Sequence, residues 1–199
     1  ARVIFFICFF LYPFLHVHSV KGQDFYLGLK VGSGWSGFAY KGSSVSEIDT
    51  EQKLNVALTY NYKFSQKYGM NVETGYSDRG VSINADNLNY NLNYLDLPLL
   101  LDYYPISRVR LSAGPEISYL ISAMNKSNDG SKTNISGNFD NRWAVNGAIG
   151  ANYSVSFFMD LGLRYQLPIT TISKTDPTLN INNVKSRYFQ LYLLFKIAN

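Results

Sequence analysis

The feature that most constrains this chain is a strict alternation of apolar and other residues. From Leu54 to Phe64 every second residue is apolar, and the residues between them are Asn, Ala, Thr and Lys. Successive side chains of a β-strand point to opposite faces, so this period of two predicts a strand with one apolar face. The same pattern recurs along the chain and predicts eight strands of about ten residues each, the length with which a tilted strand crosses a bilayer.

The connections between the predicted strands alternate in length. Short connections follow the second, fourth and sixth strands. The long connections are rich in Ser, Asn, Asp and Gly, and they cover residues 35–52, 78–91, 123–140 and 168–185. Short turns at one end and long loops at the other are typical of bacterial outer-membrane barrels, and this arrangement predicts that both termini lie in the periplasm.

The size of the side chains on each face predicts which face points inward. One face carries large apolar side chains, and the other carries small and polar ones. The small residues of the second face are Gly28, Gly32, Ala57, Gly75, Gly114, Gly150 and Gly162. The inside of an eight-stranded barrel is narrow and filled by side chains, so the small polar face belongs inside and the bulky apolar face belongs against lipid. A soluble lipocalin-like carrier needs the opposite arrangement and is the weaker alternative.

The composition agrees with a membrane barrel. Charged and aromatic residues each make up 16% of the chain, and the mean hydropathy is −0.09. These values exclude a disordered chain and a bundle of membrane helices. We therefore predict an all-β fold, an eight-stranded antiparallel up-and-down transmembrane β-barrel. Aromatic residues at the strand ends are predicted to form two interfacial girdles. They are Tyr62, Phe64, Tyr68, Tyr103, Tyr104, Tyr153, Phe157 and Phe195 on the turn side, and Trp35, Tyr94, Trp143, Tyr165 and Tyr188 nearer the loops.

An apolar segment near the N-terminal end of the chain is typical of an export signal. Val3–Tyr12 is a run of ten apolar residues, and small residues precede Gln23 at the positions that a signal peptidase requires. We predict a signal peptide over residues 1–22 and an outer-membrane β-barrel domain over residues 23–199.

Loss of the signal peptide removes the residue types that most enzymatic sites need. Cys8, His16 and His18 all lie within it. The remaining chain offers no Ser-His-Asp triad and no ordinary zinc site, and no phosphate-binding glycine motif is present. Its net charge falls from +4 to +2, because Arg2 and Lys21 are removed, and this is too weak to indicate nucleic acid. The sequence therefore predicts a protein that is not an enzyme, without catalytic residues, cofactor, metal, nucleic acid or small-molecule substrate.

Charged residues on the inward face are the remaining candidate site. Charges in a narrow lumen must be paired or hydrated, so we predict a structural network of ion pairs that leaves no open bore. The predicted members are Lys30, Lys63, Glu73, Asp96, Asp102, Arg110, Glu116, Arg142, Asp160, Arg164 and Lys196.

Two prolines, Pro98 and Pro115, fall within predicted strands. Each lacks the N–H that a strand ladder uses, so we expect a β-bulge at each of them.

Two neighbouring strands resemble a known family. The segment Asn93–Tyr104, with the sequence NYLDLPLLLDYY, precedes Leu111–Tyr119, with the sequence LSAGPEISY. Together they resemble the PorT-like outer-membrane β-barrel family of Bacteroidetes, which shows a Tyr-Leu-Glu-Ile-Pro-Leu-Leu-like strand and then a Gly-Pro-Glu strand. Asp96 stands where that family more often has Glu. The resemblance implies an outer-membrane barrel and, through the named member of the family, a connection with type IX secretion.

These observations favour a structural role. The predicted function is a membrane scaffold or accessory subunit in the bacterial outer membrane, and the resemblance implies a role in secretion. The expected partners are outer-membrane lipid and other envelope or secretion proteins. The alternative is an adhesin or ligand-binding surface protein that acts through its extracellular loops.

Overall fold

The structure is a computed structural model, and it describes residues 24–39, 48–50, 52–83, 88–127, 132–134, 136, 142–170, 173–176 and 181–198. The predicted signal peptide lies outside these residues. The described strands are β1 (Asp24–Ala39), β2 (Ile48–Thr50), β3 (Gln52–Lys63), β4 (Tyr68–Ile83), β5 (Leu88–Ile106), β6 (Val109–Ser127), β7 (Lys132–Asn134), β8 (Trp143–Ser154), β9 (Met159–Pro168), β10 (Ser173–Asp176) and β11 (Ile181–Ala198). Within the described ranges no helix is both long and apolar enough to span a membrane.

Eight of these strands form a closed antiparallel barrel. In the order β1, β3, β4, β5, β6, β8, β9 and β11 each strand pairs with the next, and β11 returns to pair with β1. The three short strands extend the wall, because β2 pairs with β4, β7 with β6 and β10 with β11. The predicted eight-stranded, all-antiparallel fold is confirmed.

The two ends of the barrel differ, as the connection lengths predict. The tight turns at residues 64–67, 107–108 and 155–158 share one end, which we call the turn end. β1 begins and β11 ends at the turn end, since Leu27 pairs with Ala198. We call the opposite end the loop end.

The strands near the loop end are longer than the sequence predicts. β5 and β6 have 19 residues each. The prediction of a long loop over residues 78–91 is wrong, because β4 continues to Ile83, β5 begins at Leu88 and these two residues pair. This hairpin is mainly polar, so no apolar alternation marks it in the sequence.

The expected bulges at Pro98 and Pro115 are also wrong. The pairing of β5 with β6 keeps one register past both prolines, and it shifts only between Asn93 and Tyr94 and between Tyr103 and Ile106. The pairing of β6 with β8 is unshifted throughout. Instead, the β5–β6 ladder lacks residue pairs between Pro98↔Glu116 and Leu101↔Ala113. Gly114 lies in this interruption, where an added Cβ would overlap the carbonyl oxygen of Leu99. The β5–β6 ladder is interrupted at Pro115 and the β4–β5 ladder is interrupted at Pro98, so each proline lies where one ladder lacks a residue pair.

The two faces of the wall have the predicted character. Polar and charged side chains of the inward face are buried, whereas bulky apolar side chains of the outward face are exposed. In a bilayer these outward side chains meet hydrocarbon, which suits their apolar character. They include Leu54, Leu58, Leu95, Leu99, Leu101, Leu111, Ile149, Leu161, Leu163, Leu167, Leu191 and Leu193.

Aromatic residues pair along the outside near both ends. The ring centroids of Tyr68 and Tyr103 are 5.5 Å apart at the turn end, and those of Tyr119 and Trp143 are 4.8 Å apart toward the loop end. Not every residue predicted for the girdles lies outside, however, because the hydroxyl of Tyr104 donates a hydrogen bond to Asn61 at 3.0 Å on the lumen side. Two further exceptions belong to the lumen and are described below.

Candidate functional site

The middle of the lumen is organised around Glu73. Its carboxylate accepts two hydrogen bonds from the Arg164 guanidinium, at 2.7 and 2.5 Å, and one from Lys30 Nζ at 2.7 Å. Asn71 Nδ2 donates another at 2.8 Å, and all four side chains are buried. Glu73 lies on β4 and Arg164 on β9, which three barrel strands separate in either direction around the ring. This middle layer therefore spans the full diameter of the lumen.

A second layer, the loop-end layer, contains two carboxylates and one arginine. The guanidinium of Arg79 lies 2.7 Å from Asp96 and 3.4 Å from Glu116. Ser118 Oγ donates to Asp96 at 2.6 Å and lies 3.2 Å from the carboxylate of Glu116. The shared hydroxyl and the shared arginine hold the two carboxylates together.

Aromatic rings and an apolar cluster flank the loop-end layer. The Arg79 guanidinium lies 4.4 Å from the ring centroid of Tyr94 and 4.9 Å from that of Tyr188, which favours cation–π attraction. Both tyrosines are fully buried, so their predicted place in an outer girdle is wrong. Their positions on β5 and β11 have the inward parity, and aromatic identity alone does not reveal this. The adjoining buried cluster contains Leu92, Tyr94, Leu120, Ala123 and Ala144.

A third layer, the turn-end layer, joins four charged side chains. Arg110 lies 3.6 Å from Asp102 and 3.9 Å from Asp160, and Lys196 Nζ lies 2.8 Å from Asp160. Arg110 also donates a hydrogen bond to the hydroxyl of Tyr26. Since β6 and β1 lie opposite one another in the ring, this contact is a second bridge across the lumen.

A small cavity separates the middle layer from the loop-end layer. Its volume is about 10 Å³, room for about one water molecule. Within the described part of the chain, Glu116 Oε2 and Arg164 Nε are buried atoms without a hydrogen-bond partner. Charged and amide side chains that line the cavity are Lys30, Asn55, Glu73, Asp96, Glu116, Arg164 and Gln190.

Nine of the eleven predicted network residues lie in the three layers. They are Lys30, Glu73, Asp96, Asp102, Arg110, Glu116, Asp160, Arg164 and Lys196. Lys63 is half-buried at the turn end, with Nζ 4.9 Å from the ring centroid of Tyr104. Arg142 is exposed and precedes β8, so its assignment to the lumen is wrong. In the alternating pattern Arg142 falls on the inward face, but β8 begins only at the next residue, Trp143.

Arg79 is a lumen residue that is not among the predicted members of the network. The available signal is the inward series Glu73, Gly75, Ser77, which continues to Arg79 if the strand is extended by two residues. The predicted loop over residues 78–91 hides this continuation.

The charges of the three layers balance. Five carboxylates, those of Glu73, Asp96, Asp102, Glu116 and Asp160, face five cations, those of Lys30, Arg79, Arg110, Arg164 and Lys196. Ionic groups in a low-dielectric wall require such pairing. The described residues contain no cluster of three or more His, Cys, Asp or Glu side chains suited to a metal ion. The arrangement can therefore fill and brace the lumen.

A closed eight-stranded barrel with an apolar outer wall and an ion-paired lumen defines a β-barrel protein of the bacterial outer membrane. Residues 21–174 match the family described as outer membrane protein beta-barrel domain, and the chain belongs to this family. The finer resemblance to PorT-like barrels of Bacteroidetes stays a prediction.

Solved structures of two bacterial proteins share the fold. Neisserial surface protein A is 16% identical with a TM-score of 0.52, over 89% of this chain and 100% of that one. Ail, the attachment invasion locus protein of Yersinia pestis, is 14% identical with a TM-score of 0.51, also over 89% and 100%. At these identities the similarity shows the fold alone. Comparison with curated proteins finds no significant sequence match.

Proposed function

We propose that this barrel is a non-enzymatic membrane scaffold or accessory subunit of the outer membrane. The observation that carries the proposal is the ion pair of Arg164 with Glu73. The two side chains extend from opposite walls of the barrel and meet in the lumen through hydrogen bonds of 2.7 and 2.5 Å. A lumen braced in this way leaves the outer wall and the two ends for contact with other molecules. In this proposal the barrel does not conduct solutes.

The partners of such a scaffold are lipid and other proteins of the envelope. The resemblance of Asn93–Tyr104 and Leu111–Tyr119 to PorT-like barrels favours a protein of the secretion machinery. In this proposal the turn end, with the start of β1 and the end of β11, faces the periplasm. Export by a signal peptide over residues 1–22 agrees with that orientation.

Two measurements test the scaffold proposal. Purified protein in planar bilayers should show no sustained ion conductance. Crosslinking in native membranes, followed by affinity purification and mass spectrometry, should recover a defined envelope protein in fixed proportion to the barrel. A steady conductance through the unmodified protein, or recovery of the barrel without any reproducible protein partner, would contradict the proposal.

A second candidate function is recognition at the loop end. The β4–β5 hairpin supports it, because the two strands stay paired as far as Ile83 and Leu88. Such an extension presents a firm surface beyond the charged layers. Ail, which has the same fold, is described in complex with the heparin analogue sucrose octasulfate.

One variant separates the two functions. Arg79 and Leu92 are paired across the hairpin, so an Asn-Gly turn can replace residues 80–91 without changing the register. A scaffold should keep its crosslinked envelope partner after this replacement. A loop-end receptor should lose binding to host cells or glycans while it remains folded.

A further inference from the structure

The turn end carries a band of side chains that we call the turn rim. It comprises residues 64–68, 103–108 and 153–158. Apolar side chains in it are strongly exposed, with Phe157 at 90%, Ile106 at 61% and Phe64 at 52%. The ring of Phe158 packs edge-on against Phe157 at 5.2 Å between centroids. An apolar surface of this kind is unfavourable in water and marks a contact with lipid or protein.

Positive charge occupies the same band. Lys67 lies in the β3–β4 turn and Arg108 in the β5–β6 turn, and both side chains are exposed. Two nearby acids, Asp102 and Asp160, point instead into the lumen, where they are buried and paired. Every exposed charged side chain that the structure describes in the turn rim is therefore positive.

The turn rim also continues the surface that faces the hydrocarbon. Tyr68 and Tyr103 are exposed on neighbouring strands, and their rings pack at 5.5 Å just beside the tight turns. Exposed rings next to Lys and Arg are the chemistry of the boundary between acyl chains and lipid head groups. Cations at this depth attract anionic lipids.

From these features we propose that the turn rim binds anionic phospholipid of the leaflet at the turn end. The Lys67 ammonium and the Arg108 guanidinium take the head-group phosphates. Phe157 and Phe158 enter the layer just beneath those phosphates. The site thereby sets how deeply the barrel lies in the bilayer. It also favours anionic over neutral phospholipids next to the turn rim.

The amount of lipid that stays bound to the protein tests the role of Lys67 and Arg108. The protein is folded in detergent micelles with phosphatidylglycerol or phosphatidylcholine, and lipid-bound species are counted by native mass spectrometry. The double variant Lys67→Glu/Arg108→Glu should retain about tenfold less phosphatidylglycerol, with phosphatidylcholine unchanged. The matched control, Arg142→Glu/Arg187→Glu, reverses two exposed cations toward the loop end and should retain the normal amount. Equal retention by wild type and the turn-rim variant overturns the proposal.

The depth of residue 157 in the bilayer tests the role of the aromatic side chains. In a chain carrying Trp35→Phe and Trp143→Phe, the substitution Phe157→Trp places the single tryptophan in the turn rim. Its fluorescence should be quenched by lipids brominated near the head group and should resist iodide in the water phase. Quenching by iodide alone would overturn the proposal and point to a periplasmic protein as the occupant. Heat-modifiable gel mobility verifies folding of each variant, and a lipid-binding failure leaves the scaffold proposal untouched.

Discussion

Arg164 and Glu73 face each other from opposite sides of the barrel and join through two hydrogen bonds, at 2.7 and 2.5 Å. Lys30 adds a second cation to the same carboxylate at 2.7 Å. The three side chains are buried in a lumen whose wall stands in lipid, so the interaction has little screening by water. Charge-assisted pairs with two parallel hydrogen bonds are strong and geometrically specific. This relationship makes Glu73 the side chain on which the interior depends most.

The substitution Glu73→Gln should strongly destabilise the barrel. It removes the carboxylate that pairs with the buried Lys30 and Arg164, and such a loss costs about 3–5 kcal/mol of unfolding free energy. Urea unfolding in detergent micelles, followed by tryptophan fluorescence and by gel mobility, measures the change. The triple variant Glu73→Leu/Lys30→Met/Arg164→Met removes the whole charge group, so it should be clearly more stable than Glu73→Gln. Wild-type stability in the single variant would show that the pair contributes nothing.

Gly114 leaves no room for a side chain between β6 and β5, and its replacement should be costly. An alanine Cβ there would overlap the backbone of β5 at Leu99, which cannot move as a side chain can. Overpacking of this kind costs about 1–3 kcal/mol. At Gly147 the nearest atom to an added Cβ is 3.8 Å away, so Gly147→Ala is the matched control. Unfolding midpoints in urea should fall for Gly114→Ala and stay close to wild type for Gly147→Ala, and the reverse order would refute the packing argument.

Arg79 is expected to hold the loop end of the lumen closed. The substitution Arg79→Met keeps much of the side-chain volume but leaves Asp96 and Glu116 without their shared cation. Loss of one partner of a buried ionic group should cost about 3–5 kcal/mol. The exposed Arg142 is the control, because Arg142→Met should change stability by less than about 0.5 kcal/mol. Urea unfolding compares the two variants, and equal stability would argue against a closing role for Arg79.

The alternation of residues reveals the orientation of the wall and most of the interior. It places Leu58 outward and Glu73 inward correctly, because a period of two assigns each residue of a strand to one face. It also identifies all five carboxylates of the three layers and four of their five cations before any coordinates are known, and Arg79 is the exception. Which cation meets which carboxylate depends on strand register and on the ring closure, and no local pattern contains that information.

Several of the wrong predictions concern residues near the loop end, where the alternation of apolar and polar residues no longer marks the strands. Arg79 is missed because the polar hairpin beyond it resembles a loop. Arg142 has the inward parity but lies outside the strand. Tyr94 and Tyr188 lie inside, stacked on Arg79, although aromatic residues at strand ends usually mark the membrane interface. Each case needs the length of the strand or the contents of the lumen, which are properties of the folded barrel.

The outward face of β9 should tolerate charge according to depth in the bilayer. Leu163 is 47% exposed near the middle of the strand, and it pairs with Leu191 and Ala151 on the two neighbouring strands. The substitution Leu163→Arg places a cation in hydrocarbon and should cost about 2–4 kcal/mol. Leu54, 61% exposed near the loop end of β3, is the matched control, because Leu54→Arg near the interface should cost about 0–1 kcal/mol. Reversible unfolding in phospholipid vesicles gives both values. Similar small costs at the two positions would mean that this face does not contact lipid, and the membrane assignment of the outer wall would then fail.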